Sequence, residues 1–460
     1  MLNQYLDKRH RTMLAVIFSL AWPTMLEQLM QTAVQYIDTA MVGSIGTHAT
    51  AAVGATTTVN WLLSSTVSAL GVGFLSFLAQ AYGAGDRERA SCAASQAVLA
   101  VLVSGTVFTI LPLALSKQVP VWMQVDPAIQ ETAARYFFIL YTPMLFRAAT
   151  IIFGTALRAV GDTKTPMRVG IIVNAVNIVL NFLLIYPTRK IGGITIPGMG
   201  WGVLGAGAAS AIAFAVGGML TTWVFWNHPV ISPRGQRLRP DMEILRPCLK
   251  IALPNMLQRF GTSLGYVAFA SMINSLGEIS TAAHTIANTV ESAFYIPGYG
   301  MQTAAATLAG NALGARDNQR MKDLAKVTLV LEVLMMIVSG GLLFIFAPQM
   351  MGIFSKDPEV IRLGSVVLRM VALSEPIYGV SIIFEGIMFG VGNTVSPFVY
   401  NIIGMWGVRI VGTFITTQLM GMGLISAWAC MIAHNFLLFV LFTLKYLRGR
   451  WNPLEMEEAK

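Results

Sequence analysis

Charged residues are scarce in this chain. Asp, Glu, Lys and Arg together make up 12% of its 460 residues, whereas soluble domains average about 25%. Hydrophobic residues make up 55%, and the mean hydropathy is +0.65. A soluble protein with a large core is the competing interpretation, but apolar runs of about 20 residues, each long enough to cross a bilayer, recur along the chain. The composition therefore predicts an all-α polytopic membrane protein.

Residues and motifs that carry catalysis or ATP binding are also lacking. The three cysteines lie far apart and predict neither a disulfide framework nor a CxxC metal site. The five histidines show no HExxH spacing, and no GxxxxGK[ST] segment is present for an ATP-binding loop. No Ser/His/Asp or Cys/His arrangement stands out, which argues against an intramembrane enzyme. We expect no catalytic residue, no metal site and no cofactor, and hence transport driven by an ion gradient.

Twelve membrane spans are predicted, an even number that puts both termini on the same side. They lie at 14–42, 51–81, 91–115, 133–156, 168–187, 202–226, 247–275, 282–310, 325–347, 361–388, 398–419 and 423–446. With both termini in the cytoplasm, 21 Lys and Arg residues face inward and six face outward, as the positive-inside rule requires. The net charge of +9 is therefore interpreted as an orientation signal that contacts membrane lipids, and not as a nucleic-acid surface. The prediction is a multi-pass protein of the cytoplasmic (inner) membrane.

An internal repeat runs through the chain at one offset. Pro23 matches Pro254, and the segment 83–86 (Gly-Ala-Gly-Asp) matches 314–317 (Gly-Ala-Arg-Asp), both 231 residues later. Further matches at this offset are Asp126-Pro127 with Asp357-Pro358, and Pro166 with Pro397. Each repeat holds six spans, so the two halves share one orientation. The repeat predicts two six-helix bundles related by a pseudo-twofold axis along the membrane normal, as in parallel-repeat transporters.

Domain boundaries follow from the repeat. We predict an N-terminal lobe at 1–226, a cytoplasmic linker rich in Pro and Arg at 227–246, and a C-terminal lobe at 247–460. A cleft between the lobes that opens alternately to each side of the membrane is the expected mechanism. A passive channel fits poorly, because the polar residues described next are present in only one half.

The first span carries two carboxylates, Glu27 and Asp38. Asp38 is followed by Thr-Ala-Met-Val, and an ionised carboxylate in such surroundings requires a partner, a water-filled cavity or a proton. We therefore predict that Asp38 takes up and releases a proton or binds a cation. Pro23, 15 residues earlier, lacks a backbone donor and predicts a bend in the same span. Pro143 is expected to bend the fourth span for the same reason.

A stripe of asparagines in the fifth span is the predicted partner of Asp38. Asn174, Asn177 and Asn181 are spaced by three and four residues and share one helical face. Their amides could donate to an ionised carboxylate, accept from a protonated one, or supply oxygens to a cation. Ser210, in a small-residue run of the sixth span, could complete the pocket. The alternative is that these residues only join helices to one another.

This polar group has no counterpart in the second half of the chain. At the repeat offset, the positions opposite Asp38, Asn177 and Asn181 are Phe269, Val408 and Gly412. None of these three can titrate or bind an ion through its side chain. The two halves are thus predicted to share a scaffold and to differ in function, with ion coupling in the first.

Several segments spread over nearly the whole chain form a recognisable set. They are Pro23, Gln35, Asp38, Met41 and Val42-Gly43 in the first span, QAYGAGD at 80–86, and ALRAVGDTKTP at 156–166. Together they resemble the multidrug and toxic compound extrusion (MATE) family. The resemblance implies a secondary transporter that exports small organic compounds, often cationic or amphipathic, in exchange for H⁺ or Na⁺. No obligate protein partner is evident.

Within that family the chain is similar to the DinF-like branch. This resemblance implies that Asp38 is the ion-coupling residue, that Asn177 lies beside it, and that Pro23 bends the first helix. Positions at which NorM-like members carry acidic groups in the second lobe are Thr262 and Tyr378 here.

Fewer carboxylates than in some members favour H⁺ over Na⁺. The fifth-span motif ends in Asn181 where an aspartate is common, and hard cations favour charged oxygen ligands. We therefore expect H⁺ coupling, with a Na⁺-coupled drug exporter as one alternative. The candidate substrate-cleft residues are Gln35, Met41, Arg259 and Tyr378.

A lipid-linked oligosaccharide flippase of the same superfamily is the second alternative. It would be expected to hold a pyrophosphate in a cleft rich in cationic residues. The candidate spans offer few, mainly Arg147, Arg259 and Arg409.

Overall fold

The structure, a computed structural model, describes residues 2–122, 125–191 and 194–458, with side chains described from residue 12 onward except at 47, 55–58, 191, 194 and 458. Most of the chain is helical. The first eight helices are α1 (Leu2–Gly43), α2 (Thr47–Gly83), α3 (Arg87–Ala114), α4 (Gln118–Trp122), α5 (Pro127–Tyr141), α6 (Met144–Ala159), α7 (Lys164–Leu184) and α8 (Gly202–Trp226). The others are α9 (Met242–Asn274), α10 (Glu278–Gly314), α11 (Asn318–Phe354), α12 (Pro358–Gly390), α13 (Val395–Ile402), α14 (Val411–Thr413), α15 (Leu424–Leu447) and α16 (Pro453–Glu458). Two π-helical segments, Ile403–Ile410 and Phe414–Leu419, flank α14.

The predicted all-α polytopic fold class is confirmed. Each of the twelve predicted spans falls on helical segments. Among the described residues, nine helices are long and apolar enough to cross a membrane, and the bent pair α5 and α6 makes a tenth. The other two predicted spans lie on α9 and α10, which are 33 and 37 residues long. The chain is a multi-pass membrane protein.

The fourth span is bent at Pro143, as predicted. α5 and α6 form an angle of 48° across a short break. Pro143 immediately precedes the first residue of α6, where its missing N–H is not needed by the helix. In α12, by contrast, the helix continues through Pro376.

Contacts group the chain into two compact units. Unit 1 comprises Met1–Gln28, Ala79–Gly85 and Lys250–Lys460. Unit 2 comprises Leu29–Leu78 and Asp86–Leu249. The boundary between the units therefore falls within α1, between Gln28 and Leu29. The lobe boundaries and the pseudo-twofold axis expected from the repeat stay predictions.

Unit 1 is built around α10, α11 and α12, which pack against one another. Their buried apolar residues form two clusters, one with Leu308 and Ile383 and the other with Leu343 and Trp428. Lipid tails are as apolar as these side chains. Close packing, rather than transfer out of water, is therefore what holds such helices together.

The C-terminal ends of α2 and α10 meet in a reciprocal contact within unit 1. A Cβ atom built on Gly83 would lie 2.0 Å from the carbonyl oxygen of Asn311, and one built on Gly314 would lie 1.9 Å from that of Gln80. The two contacts are repeat mates, since 314 − 83 and 311 − 80 both equal 231. Only glycine permits this approach of backbone to backbone. The repeated Gly-Ala-x-Asp motif thus has a packing reason as well as a turn.

In unit 2, glycines allow α8 to lie directly against α6 and α7. A Cβ on Gly205 would lie 2.5 Å from the carbonyl oxygen of Leu184, and one on Gly218 would lie 2.4 Å from that of Phe146. Small residues are the usual means by which membrane helices approach closely. This packing brings Ser210, between the two glycines, next to the face of α7 that carries the asparagines.

The segment between α8 and α9 is tied to α3. The buried side chain of Gln96 donates to the carbonyl oxygen of Arg239 (2.9 Å) and accepts from the N–H of Asp241 (3.0 Å). Ser91 Oγ donates to the carbonyl oxygen of Ser232 (2.6 Å). Burial lowers the pKa of His228, so that its neutral Nδ1 can accept from nearby backbone N–H groups. The predicted linker is therefore packed against unit 2 over much of its length.

Gln96→Ala is expected to loosen this segment. It leaves a carbonyl and an N–H without their partner, which costs about 1–3 kcal/mol in a buried setting. Trypsin should then cleave after Arg234, Arg237 or Arg239 several-fold faster than in the wild type. Gln319→Ala, which removes an exposed amide that contacts Asp323, is the control and should leave the cleavage rate unchanged. Equal rates in all three proteins would contradict the assigned role of Gln96.

A β-hairpin between α7 and α8 was not predicted. β1 (Pro187–Ile191) pairs antiparallel with β2 (Ile194–Met199). The sequence around it contains β-branched residues on either side of Gly192-Gly193, a pattern that favours a two-residue hairpin connection. The signal was present, but the segment was treated only as a loop between spans.

Candidate functional site

Asp38 lies half-buried on α1 and is hydrogen-bonded to α7. Asn181 Nδ2 donates to Asp38 Oδ1 at 2.6 Å, and the side chain of Asn181 is only 1% exposed. A carboxylate that accepts from a buried amide is stabilised in its ionised form. The predicted pairing of the first and fifth spans is therefore present in the structure.

The hydrogen bonds continue from Asp38 as a chain of side chains. Asn181 Nδ2 also donates to Asn177 Oδ1 (3.1 Å), and Asn177 Nδ2 donates to Ser210 Oγ on α8 (3.1 Å). The four-residue spacing on α7 stacks the two amides one turn apart. We call these four residues, Asp38, Asn181, Asn177 and Ser210, the polar chain. The structure brings them together, while their role in ion coupling stays a prediction.

Two amide atoms near the polar chain lack a partner. Within the part of the protein that the structure describes, Asn181 Oδ1 has no hydrogen-bond donor and Asn174 Nδ2 has no acceptor, although both atoms are buried. Asn174 lies one turn before Asn177 but outside the polar chain, so its predicted place in the ion-coupling group stays a prediction. The free oxygen of Asn181 shows that the polar chain is satisfied in one direction only.

Two tyrosines near Asp38 were missed by the sequence analysis. Tyr136 on α5 is buried and lies within electrostatic range of Asp38. Tyr186 Oη lies 2.7 Å from Ser44 Oγ and 3.4 Å from the carbonyl oxygen of Met41, and so holds the C-terminal end of α1 near α7. A tyrosine within an apolar span is itself a signal, because its hydroxyl needs a partner there.

Arg147 on α6 is held by neutral groups. Its Nη1 donates to Asn60 Oδ1 (2.6 Å), which Tyr141 Oη also contacts (3.2 Å). Its guanidinium stacks over the ring of Phe214 at 4.5 Å. Hydrogen bonds and a cation–π contact replace the carboxylate partner that a buried cation would otherwise require. The residue thus has a structural explanation without a substrate.

The repeat counterparts of the polar chain lie in unit 1 and form apolar packing. Phe269 is 1% exposed within a hydrophobic cluster, and the guanidinium of Arg409 stacks on its ring at 4.1 Å. Arg409 lies in the first π-helical segment, where the corresponding α7 is regular. π-Helical turns are frequent at functional sites, and this one was not predicted.

Three of the four candidate cleft residues have their contacts within their own unit. Met41 accepts through its carbonyl from Tyr186 in unit 2. In unit 1, Arg259 Nε donates to Asn255 Oδ1 (3.2 Å), and Tyr378 Oη lies 3.0 Å from Tyr299 Oη. Gln35 is exposed on α1. The substrate cleft that they were expected to line stays a prediction.

Pro23 is buried within a continuous α1. The next residue, Thr24, places its Oγ1 2.8 Å from the carbonyl oxygen of Ala21 and 3.0 Å from that of Gly300 on α10. The helix ladder that the proline interrupts is thus supported by a neighbouring helix. The unit boundary after Gln28 lies one to two turns beyond Pro23.

An open groove of about 490 Å³ lies on unit 2, at some distance in the sequence from the polar chain. Its lining residues are Phe146, Met219, Thr222, Trp223, Trp226, Asn227 and Arg234. None of them belongs to the polar chain. The groove therefore gives no support to the ion site.

A multi-pass helical protein with a buried carboxylate, held by amides from another span, belongs to the class of membrane transporters. The model of one family, MatE, matches residues 23–183 and again residues 254–415, more than half of the chain. The two matches begin 231 residues apart, the offset of the internal repeat. The chain belongs to the MATE family of transporters. The comparisons do not distinguish the DinF-like branch.

Relatives of this chain carry the names of multidrug resistance proteins. The "Probable multidrug resistance protein NorM" of Thermotoga maritima is 26% identical over 436 residues, which are 95% of this chain and 92% of that protein. The "Multidrug resistance protein PmpM" of Pseudomonas aeruginosa is 25% identical over 415 residues, 87% of this chain and 83% of that protein.

Solved structures share the fold of this chain. A MATE crystal structure in the bent conformation has a TM-score of 0.88 and 22% identity, covering 97% of both chains. A MOP superfamily transporter of Pyrococcus furiosus, described as having reversed binding-pocket polarity that suggests a different function, has a TM-score of 0.87 and 22% identity over 96% of both chains. At this identity the likeness is one of fold.

Proposed function

We propose that this protein exports organic cations or amphipathic drugs across the cytoplasmic membrane in exchange for H⁺, with Asp38 as the coupling carboxylate. The relatives named as multidrug resistance proteins support the drug class. The hydrogen bond from Asn181 to Asp38 is the observation that carries the coupling assignment. The flippase alternative is not favoured by these relatives.

Protonation of Asp38 would reverse the polar chain. With Asp38 ionised, donors run from Asn181 to Asp38 and from Asn177 to Ser210, as observed. A protonated Asp38 becomes a donor, and its best acceptor is Asn181 Oδ1, which lacks a donor among the described residues. If both amides flip, Asn177 donates to Asn181 and Ser210 Oγ–H donates to Asn177. Each proton state then has its own complete set of hydrogen bonds.

This reversal gives the proton a means of acting on α1. The N-terminal part of α1 belongs to unit 1 and the part that carries Asp38 belongs to unit 2. A changed hold on Asp38 would favour a different bend near Pro23, where one backbone hydrogen bond is missing. Exchange requires that proton and drug stabilise different conformations, because a ligand with equal affinity for both shifts nothing.

H⁺ is favoured over Na⁺ by the ligands available. The polar chain offers one carboxylate and neutral oxygens. In the segments that the structure describes, no group of three His, Cys, Asp or Glu side chains is placed to hold a metal ion. Hard cations are bound by several oxygen ligands, carboxylates above all. The positive-inside bias places both termini in the cytoplasm, so the drug would leave as the proton enters.

The test is efflux of a fluorescent organic cation from liposomes that contain the purified protein. A pH gradient and a Na⁺ gradient are imposed separately. We expect efflux under the pH gradient alone and none above the protein-free control under Na⁺ alone. Efflux that requires Na⁺ would replace this proposal with the Na⁺-coupled exporter, and no efflux under either gradient would reject drug export.

Asn181→Leu is expected to slow pH-driven efflux about tenfold or more, since a hydrogen bond to a charged group contributes about 1.5–3 kcal/mol. The substitution removes the donor to ionised Asp38 and breaks the polar chain at its centre. Asn174→Leu is the comparison on the same helical face. It removes an amide outside the polar chain, so efflux should fall less. An equal loss in both variants would indicate a packing role for the whole stripe.

A further inference from the structure

Two carboxylates in unit 1 are buried without any partner. Glu332 on α11 is 0% exposed and Glu375 on α12 is 1% exposed. None of their four carboxylate oxygens has a hydrogen-bond donor among the residues that the structure describes. An ionised carboxylate in such a place loses the solvation of water and gains nothing in exchange. These residues are unrelated in sequence to the polar chain.

The two carboxylates lie within electrostatic range of each other, and Glu375 also of Glu291 on α10. Glu332 lies against backbone rather than against donors. A Cβ built on Gly298 would be 2.5 Å from Glu332 Oε1, and one on Gly379 would be 3.4 Å from the same oxygen. Two glycines, on α10 and α12, thus make the space for this carboxylate.

Positive charge nearby is sufficient for one carboxylate only. Arg409 lies within electrostatic range of Glu291 and also of His284 and His434. The ring nitrogens of His434 have no partner in the described part of the chain. The remaining titratable neighbours are tyrosines, of which Tyr295 faces both Glu291 and Glu375 and Tyr378 follows on α12. Three carboxylates therefore share one guanidinium.

Glu385, on the same helix as Glu375, shows what a buried ionised carboxylate requires. Gln258 Nε2 and Asn401 Nδ2 donate to its Oε1 at 2.5 and 3.0 Å, and Gln302 Nε2 donates to its Oε2 at 2.8 Å. Arg259 lies within electrostatic range. Three amides and a cation thus replace water around Glu385. Glu332 and Glu375 have none of these.

We infer that Glu332 and Glu375 form a proton-binding site in unit 1, which takes up and releases a proton independently of Asp38. Two adjacent carboxylates without donors cannot both be ionised, whereas one proton lets the first donate to the second. A metal ion is a poor occupant, since the described residues include no three-ligand group. The site adds a second titrating centre to the chain.

The helices around this site can open it. Pro376 follows Glu375 directly and Pro297 precedes Gly298, and each proline removes one backbone hydrogen bond from its helix. A change of bend at either position would alter the separation of the two carboxylates. Such a change would favour release of the shared proton when the carboxylates part and reach water.

The test is infrared spectroscopy of the full-length protein in lipid vesicles, in which a protonated carboxyl group gives a C=O band separate from that of a carboxylate. We expect this band at neutral pH in the wild type and in Asp38→Asn. It should fall in Glu332→Gln and in Glu375→Gln. Glu385→Gln is the matched control and should leave the band unchanged, because Glu385 is ionised.

A second measurement uses the wild type alone and depends on no variant. Transfer of the vesicles to D₂O during cycling of the pH should shift the band to lower frequency, since an exchanging site replaces its proton by a deuteron. A band unchanged by either glutamate substitution would overturn the proposal. So would a band that never shifts in D₂O, which would mean a trapped proton, or a band lost in Asp38→Asn. Drug transport does not enter any of these outcomes, so they are distinct from failure of the proposed function.

Discussion

Asp38→Asn is expected to abolish drug export driven by a pH gradient while the protein remains folded. The substitution keeps the shape of the side chain and an oxygen that can accept from Asn181 Nδ2. It removes the only group of the polar chain that can gain or lose a proton near neutral pH. The thermal midpoint should stay within a few degrees of the wild type, because a matched polar replacement leaves the hydrogen bonds of α7 in place.

The variant separates coupling from binding. In the wild type, drug affinity should weaken as the pH falls, because proton and drug stabilise different conformations. In Asp38→Asn the affinity should no longer depend on pH through this site. The control is Asp323→Asn, an exposed carboxylate on α11 that contacts Gln319, which should export as the wild type does. Undiminished pH-driven export by Asp38→Asn would reject Asp38 as the coupling residue.

Gly314→Ala is expected to lower the thermal midpoint by about 5 °C or more, since overpacking of a tight contact costs about 1–3 kcal/mol and more when backbone must move. Its added Cβ would lie 1.9 Å from the carbonyl oxygen of Gln80. A carbonyl held in a helix cannot turn away as a flexible side chain can. Gly83→Ala, the repeat mate, should have a similar effect, because its Cβ would lie 2.0 Å from the carbonyl oxygen of Asn311.

The control for this pair is Gly341→Ala on α11. No atom lies within 4 Å of a Cβ built there, and alanine is a better helix former than glycine by about 1 kcal/mol. Gly341→Ala should therefore leave the midpoint unchanged or raise it. Equal midpoints in Gly314→Ala and Gly341→Ala, measured by thermal denaturation in the same detergent, would contradict the close helix contact.

Elements with a period and a length could be predicted from the sequence. The spans and the bend at Pro143 follow from apolar runs and from the backbone chemistry of proline, which are local properties. The pairing of Asp38 with Asn181 could be predicted because a lone carboxylate and a stripe of amides in one apolar half have few other partners. The 231-residue offset also pointed to the segments 83–86 and 314–317, whose glycines meet in the structure.

What could not be predicted depends on contacts between distant segments. Tyr136 and Tyr186 look like ordinary aromatic residues until the folded chain brings them to α1 and Asp38. Glu332 and Glu385 are both glutamates in apolar spans, and only the structure shows that one has three amide donors and the other has none among the described residues. Sequence gives the type of an ionisable group, whereas its solvation is a property of the fold.

The most direct test of the central claim measures proton movement that a drug gradient drives. Liposomes containing the protein, with equal pH on both sides and a pH-sensitive dye inside, receive an outward gradient of the organic cation. Coupling is reciprocal, so the account predicts that the lumen becomes more acidic as the drug leaves. Asp38→Asn should show no such change. Drug efflux from wild-type vesicles without acidification would contradict H⁺ exchange, and equal acidification in Asp38→Asn would contradict the role of Asp38.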